Sequence, residues 1–160
     1  MNLTKINSNY IRNLIFGAED SLVSSVGVLF GIASAGVTST QIWLTGLIVI
    51  SVEALSMGAG AYLSEITTYE VNGKKNKKDN PVIDGIIMFT SYFFAGFIPL
   101  IPYKLVNPQQ AKFLSVVVTL VALYVLGYAP QKQHKSAIRM LVIAGLAIAV
   151  GFVVALIFNI

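Results

Sequence analysis

Long apolar stretches alternate along the chain with short polar blocks, and each apolar stretch is long enough to cross a hydrocarbon core as a helix, which takes about 20 residues. The pattern predicts an all-α polytopic membrane protein with five spans, near residues 15–36, 42–65, 82–103, 110–129 and 136–158. On this reading residues 1–160 form a single transmembrane domain with one long polar linker, 66–81. That linker contains VNGKKNKKDNP, whose Gly, Asn and Lys favour a solvated turn, and Pro81 suits the first turn of the third helix. Ahead of the first span, Leu3, Ile6, Tyr10 and Leu14 recur near the helical repeat with Lys5 and Arg12 between them, the pattern of a segment lying along the interface. In FIPLIPY, Pro99 and Pro102 fall where they bend or end the third span, with Tyr103 expected at the membrane surface. The first residues hold no compact apolar segment followed by a small-residue cleavage site, so no removable signal peptide is expected.

Composition sharpens this picture. With 56% hydrophobic and 11% charged residues, the chain has too little polar surface for a soluble globule. An odd number of crossings puts the termini on opposite sides, and the basic residues then set the orientation. With the N-terminus in the cytoplasm, Lys5, Arg12, Lys74, Lys75, Lys77, Lys78, Lys132, Lys135 and Arg139 lie inside and only Lys104 and Lys112 outside. The net charge of +4 therefore flanks the spans and forms no basic face for nucleic acid, while the four linker lysines suit anionic lipid headgroups. The C-terminus falls on the far side of a plasma or vacuole-type membrane. The absence of cysteine excludes disulfides and thiolate metal sites.

The candidate chemistry lies in the first two spans. Asp20, Ser24, Gly27, Gly31 and Ala35 project to one side of a helix, so an acid shares a stripe with a GxxxG packing motif. Glu53, Met57, Gly60 and Ser64 form a second such stripe, with Glu65 about 120° away. An ionised acid at mid-bilayer costs at least several kcal/mol unless paired, hydrated or protonated. A protonated Glu53 serving only helix assembly satisfies that requirement, and so does a bound cation. Carboxylate beside thioether leans toward a first-row transition metal over magnesium or calcium. The metal ligands expected on this reading are Asp20, Glu53 and Met57, in an ion path that also takes in Ser24 and Gly60. Glu19, Glu65 and Glu70 are candidates for its cytoplasmic entrance. A non-transporting scaffold dimerising through the first span is the alternative. An enzyme is not expected: His134 is the only histidine, sits in a basic loop as a solvated residue, and has no acid or nucleophile near it in sequence.

GAEDSLVSSVGVLFGIASAG, EALSMGAGAYLSE, FIPLIPY and KSAIRMLVIAGLAIAVGF, taken together, resemble the vacuolar iron transporter family, including its nodulin-like members. The block from Ser56 to Leu63 is the most specific part. The resemblance implies a five-helix subunit and a homodimer with its ion path between the subunits. It also implies export of Fe2+ or Mn2+ from the cytosol, by exchange for protons, with no permanently bound cofactor. By motif, Asp20 matches the family's first-helix acid and Met57 its second-helix methionine. Some members carry the glutamate two turns before the methionine, where this chain has Val49; others carry an acid one turn before, as Glu53 stands here. Ser21 replaces the glycine that commonly follows the aspartate. Many iron-transporting members insert a Glu- and Met-rich cytoplasmic domain between spans two and three, where this chain has only the lysine-rich linker.

Overall fold

The computed structural model describes residues 8–72, 80–130 and 132–157, and every regular element among them is helical. The elements are α1 (Ser8–Ser34), α2 (Ser39–Asn72), α3 (Pro81–Leu100), the single turn α4 (Pro102–Leu105), α5 (Pro108–Tyr128) and α6 (His134–Ile157). Among the described residues, four stretches are long and apolar enough to cross a membrane: α1, α2, α3 continued through α4, and α5. The 24-residue α6 occupies the fifth expected span.

Local chemistry sets the helix ends. Gly36, at φ 75°, supplies the left-handed residue between α1 and α2. Thr38 and Gln41 then form a capping box: Gln41 N–H donates to Thr38 Oγ1 at 3.3 Å, and Gln41 Oε1 accepts from Thr38 N–H at 2.9 Å. α3 and α5 each begin with an asparagine cap followed by proline. Asn80 Oδ1 accepts from Val82 N–H, and Asn107 Oδ1 from Gln110 N–H, both at 3.0 Å.

Three sequence expectations change. The first helix begins by Ser8, so Tyr10, Arg12 and Leu14 belong to α1 itself; Leu3, Lys5 and Ile6 lie outside the described residues. The polar linker expected over 66–81 is helical up to Asn72, and its four lysines lie outside the described residues. Hydropathy falls after Glu65 while the helix continues, with Thr67 and Thr68 satisfying their hydroxyls on the carbonyls of Leu63 and Ser64 at 2.9 and 2.8 Å. At 34 residues α2 is about 50 Å long against a hydrocarbon core of about 30 Å, so it projects well beyond the membrane. Tyr103 is buried against other helices instead of exposed: the break at Ile101–Pro102 turns it into a cluster with Leu29, Ala33, Ile42, Leu100 and Ala111. Lys104 and Lys112 instead lie over aromatic rings at that end, Trp43 at 5.5 Å and Phe30 at 5.6 Å.

The helices pack through rows of every fourth residue. Such buried rows run from Asn13 to Ala33 on α1, Ile42 to Gly58 on α2, Asp84 to Leu100 on α3 and Ala111 to Gly127 on α5. α1 and α3 run parallel in a fixed register that pairs Asn13 with Asp84, Gly17 with Met88 and Ser21 with Tyr92. α2 and α3 run antiparallel, with Gly58 against Gly85, Glu53 against Tyr92 and Ile50 against Gly96. Their crossing point is backbone on backbone. A Cβ on Gly58 would lie 2.9 Å from the Gly85 carbonyl oxygen, and one on Gly85 would lie 2.8 Å from that of Gly58. α5 and α6 close the far side of α1, where Leu22, Leu123 and Ala144 form a second core cluster. α2 stands at the edge, packed on α3, less on α1 and the α4 turn, with no substantial contact to α5 or α6.

Candidate functional site

The α2–α3 register brings Glu53, one turn before Met57, opposite the middle of α3, where the only aromatic hydroxyl of FTSYFFAGF is Tyr92. Tyr92 donates its O–H to Glu53 Oε2. Ser24 of α1 lies 2.7 Å from the same phenol oxygen and donates to Glu53 Oε2 at 3.3 Å. Three helices thus meet on one carboxylate oxygen. Tyr92 is 1% exposed, and its backbone carbonyl accepts from Ser21 Oγ at 2.6 Å. The serine that replaces a glycine after Asp20 therefore clamps α3 to α1 directly beside the site.

Asp20 lies one turn before Ser24 on α1, half-buried, and its charge interacts with that of Glu53; Glu19 in turn interacts with Asp20. From Asn13 to Gly73 the sequence holds no Lys or Arg, so Arg12, near the start of α1, is the only basic residue on either helix and lies two turns before Asp20. Among the described residues, no three His, Asp or Glu side chains converge as a metal-binding group. One chain therefore contributes two neighbouring carboxylates and the nearby Met57.

Met57 opens toward the Arg12 end of the bundle. There a groove of about 670 Å³ is lined by Met57, Met88, Gly60, Ser64, Glu65 and Arg12, among others. The structure places Met57, Gly60 and Glu65 along this groove and Asp20, Ser24 and Glu53 in the polar cluster above it. Glu70 is exposed on the projecting part of α2 and does not line the groove. Gly27 and Gly31 of α1 and Gly60 of α2 face open space, and Ala35 is exposed, so these small residues are not used for packing inside the chain; the buried row of α1 is the neighbouring one through Gly17, Ser21 and Ser25.

Two functional-looking residues escape the sequence reading. Tyr92 resembles one more packing aromatic until the register with Glu53 is known. Asp84 sits in the first turn of α3, where an acid suits the helix dipole, yet it is 1% exposed and accepts from Asn13 Nδ2 at 2.5 Å. His134 is exposed, as expected, but it begins α6, and its Nδ1 lies 2.6 Å from the Tyr124 hydroxyl. Among the described residues, no acid joins that pair.

The fold defines a multi-pass helical membrane protein, with an acidic cluster bonded to a tyrosine among its apolar helices. The VIT family model matches residues 11–78 and 65–156, nearly the whole chain, and the chain belongs to that family. It is 32% identical over 110 residues to Vacuolar iron transporter 1 of Arabidopsis thaliana, an alignment covering 65% of this chain and 44% of that relative. This chain thus spans less than half of that protein's length. It is 26% identical over 165 residues to Vacuolar iron transporter homolog 4 of the same plant, covering 91% of this chain and 82% of the relative. Vacuolar iron transporter 1 of Tulipa gesneriana is 23% identical, covering 92% and 87%.

Proposed function

We propose that this chain is one subunit of a homodimeric transporter that moves a divalent transition metal, Fe2+ or Mn2+, out of the cytosol in exchange for protons. The observation that carries this reading is the neighbouring Asp20 and Glu53 pair, placed in two apolar helices that contain no basic residue between Asn13 and Gly73. Two carboxylates so placed repel each other and lose their hydration, so a cation or protons must hold them. Metal and protons then compete for the same oxygens, and a proton gradient drives release.

The reading includes a twofold dimer, since one chain's donor set is too small for a divalent ion and a second copy would double it. The open Gly27, Gly31 and Gly60 face is where such a copy would approach. In this arrangement α6 is the fifth span, the N-terminus is cytoplasmic and the C-terminus lies opposite. The groove below Met57 is the cytoplasmic entrance, with Glu65 in it and Glu19 above. A scaffold dimerising through α1 has no use for the paired carboxylates.

Metal flux into proteoliposomes tests the proposal. Asp20→Asn is expected to lower Fe2+ and Mn2+ flux by about 10- to 100-fold, the scale of losing a metal-site partner. Wild-type flux in that variant removes Asp20 from the path. Met57→Leu keeps volume and removes the sulfur, so the melting temperature holds while the ratio of Fe2+ to Mn2+ flux changes. An unchanged ratio makes Met57 a packing residue.

A further inference from the structure

The polar cluster does more than gather acids, because it treats the two oxygens of Glu53 differently. Oε2 takes the Tyr92 O–H and faces the Ser24 hydroxyl, whereas Oε1 takes no hydrogen bond from the described residues. The difference is built in. Tyr92 is fully buried, its backbone is tied to Ser21, and Ser24 lies 2.7 Å from its phenol oxygen, a chain of hydroxyls that aims the phenol proton at the carboxylate. A carboxylate has about four lone-pair positions, two on each oxygen. With its Oε2 engaged by one or two hydroxyls, Glu53 offers a cation Oε1 most freely and Oε2 only in part.

One-oxygen coordination discriminates between cations. Calcium gathers 6–8 oxygens at 2.3–2.6 Å and commonly takes both oxygens of a carboxylate, whereas small transition-metal ions make fewer and shorter bonds and accept sulfur. Resting on the transport reading above, we propose that Tyr92, seconded by Ser24, is a specificity-determining residue: by engaging Glu53 Oε2 it favours one-oxygen binding at Glu53 and so disfavours calcium relative to a smaller transition-metal ion. Met57 favours the correct metal by attraction, and Tyr92 disfavours a wrong one by competing with it for a ligand oxygen.

The test is Mn2+ flux in proteoliposomes with Ca2+ added as competitor, for wild type, Tyr92→Phe and Ser24→Ala. Tyr92→Phe keeps the ring and frees Oε2. The Ca2+ concentration that halves Mn2+ flux, divided by the KM for Mn2+, is expected to fall about tenfold or more in Tyr92→Phe. Ser24→Ala shifts the same ratio in the same direction by less, and it carries the test if Tyr92→Phe does not fold. A loss of packing alone lowers affinity for both ions together and leaves the ratio where it was, so an unmoved ratio in the folded variants overturns the proposal while leaving the transport reading intact. A wild-type protein that moves no divalent metal overturns both.

Discussion

Glu53→Gln is expected to reduce Fe2+ and Mn2+ flux by about 100-fold or more, the upper end of what losing a metal-site group costs, with little change in melting temperature in detergent. The amide oxygen still accepts from Tyr92 and Ser24, so the three-helix junction keeps its hydrogen bonds. What disappears is the negative charge that faces Asp20. The variant therefore separates the two explanations of an acid in the bilayer. If Glu53 served only as a hydrogen-bonding strut, glutamine would do as well and flux would persist. Measuring flux and melting on the same preparation decides between them, and a variant that transports like wild type would falsify the ion-path role of Glu53.

The second large effect concerns the frame that holds that site. Gly58→Val is expected to destabilise the subunit by about 3 kcal/mol or more, the top of the usual range for over-packing. That corresponds to roughly 6–12 °C in melting temperature for a chain of this size. The new side chain would meet the Gly85 carbonyl and the Phe89 Cβ at 2.9 and 2.8 Å, and neither can rotate away. The helices must separate, and the α2–α3 register that sets Glu53 against Tyr92 goes with them. Gly145→Ala on α6 is the control: its Cβ meets nothing, and alanine favours the helix by about 1 kcal/mol over glycine. A melting temperature for Gly58→Val equal to that of the control would show that the crossing is looser than drawn here.

The sequence reveals the helices far better than their facing. Apolar length marks the membrane-crossing stretches, and polar residues beside small ones draw attention to Asp20, Glu53 and Met57. Which small stripe packs inside the subunit is not legible, because α1 carries two: one through Gly17, Ser21 and Ser25, and one through Gly27 and Gly31. In lipid both faces of a helix are apolar or small, so the contrast that tells inside from outside in a soluble helix is missing. Tyr92 stays hidden for a related reason. Its role depends on the register between α2 and α3, which is set by the Gly58–Gly85 crossing and not by any pattern within α3 itself. The projecting end of α2 is missed because hydropathy reports the bilayer boundary, whereas the helix ends by its own backbone chemistry.

The placement of α2 at the margin of the bundle leaves its carboxylate held by α1 and α3 alone. α1 and α3 advance together along a shared register, backed by α5 and α6, and they present Asp20, Ser24 and Tyr92 as one fixed wall. Glu53, Met57 and Glu65 ride on a rod fastened chiefly along one side. On the transport reading proposed above, a roll of that rod would carry its acid and its sulfur past the hydroxyl pair of α1 and α3, with the two crossing glycines as its pivot.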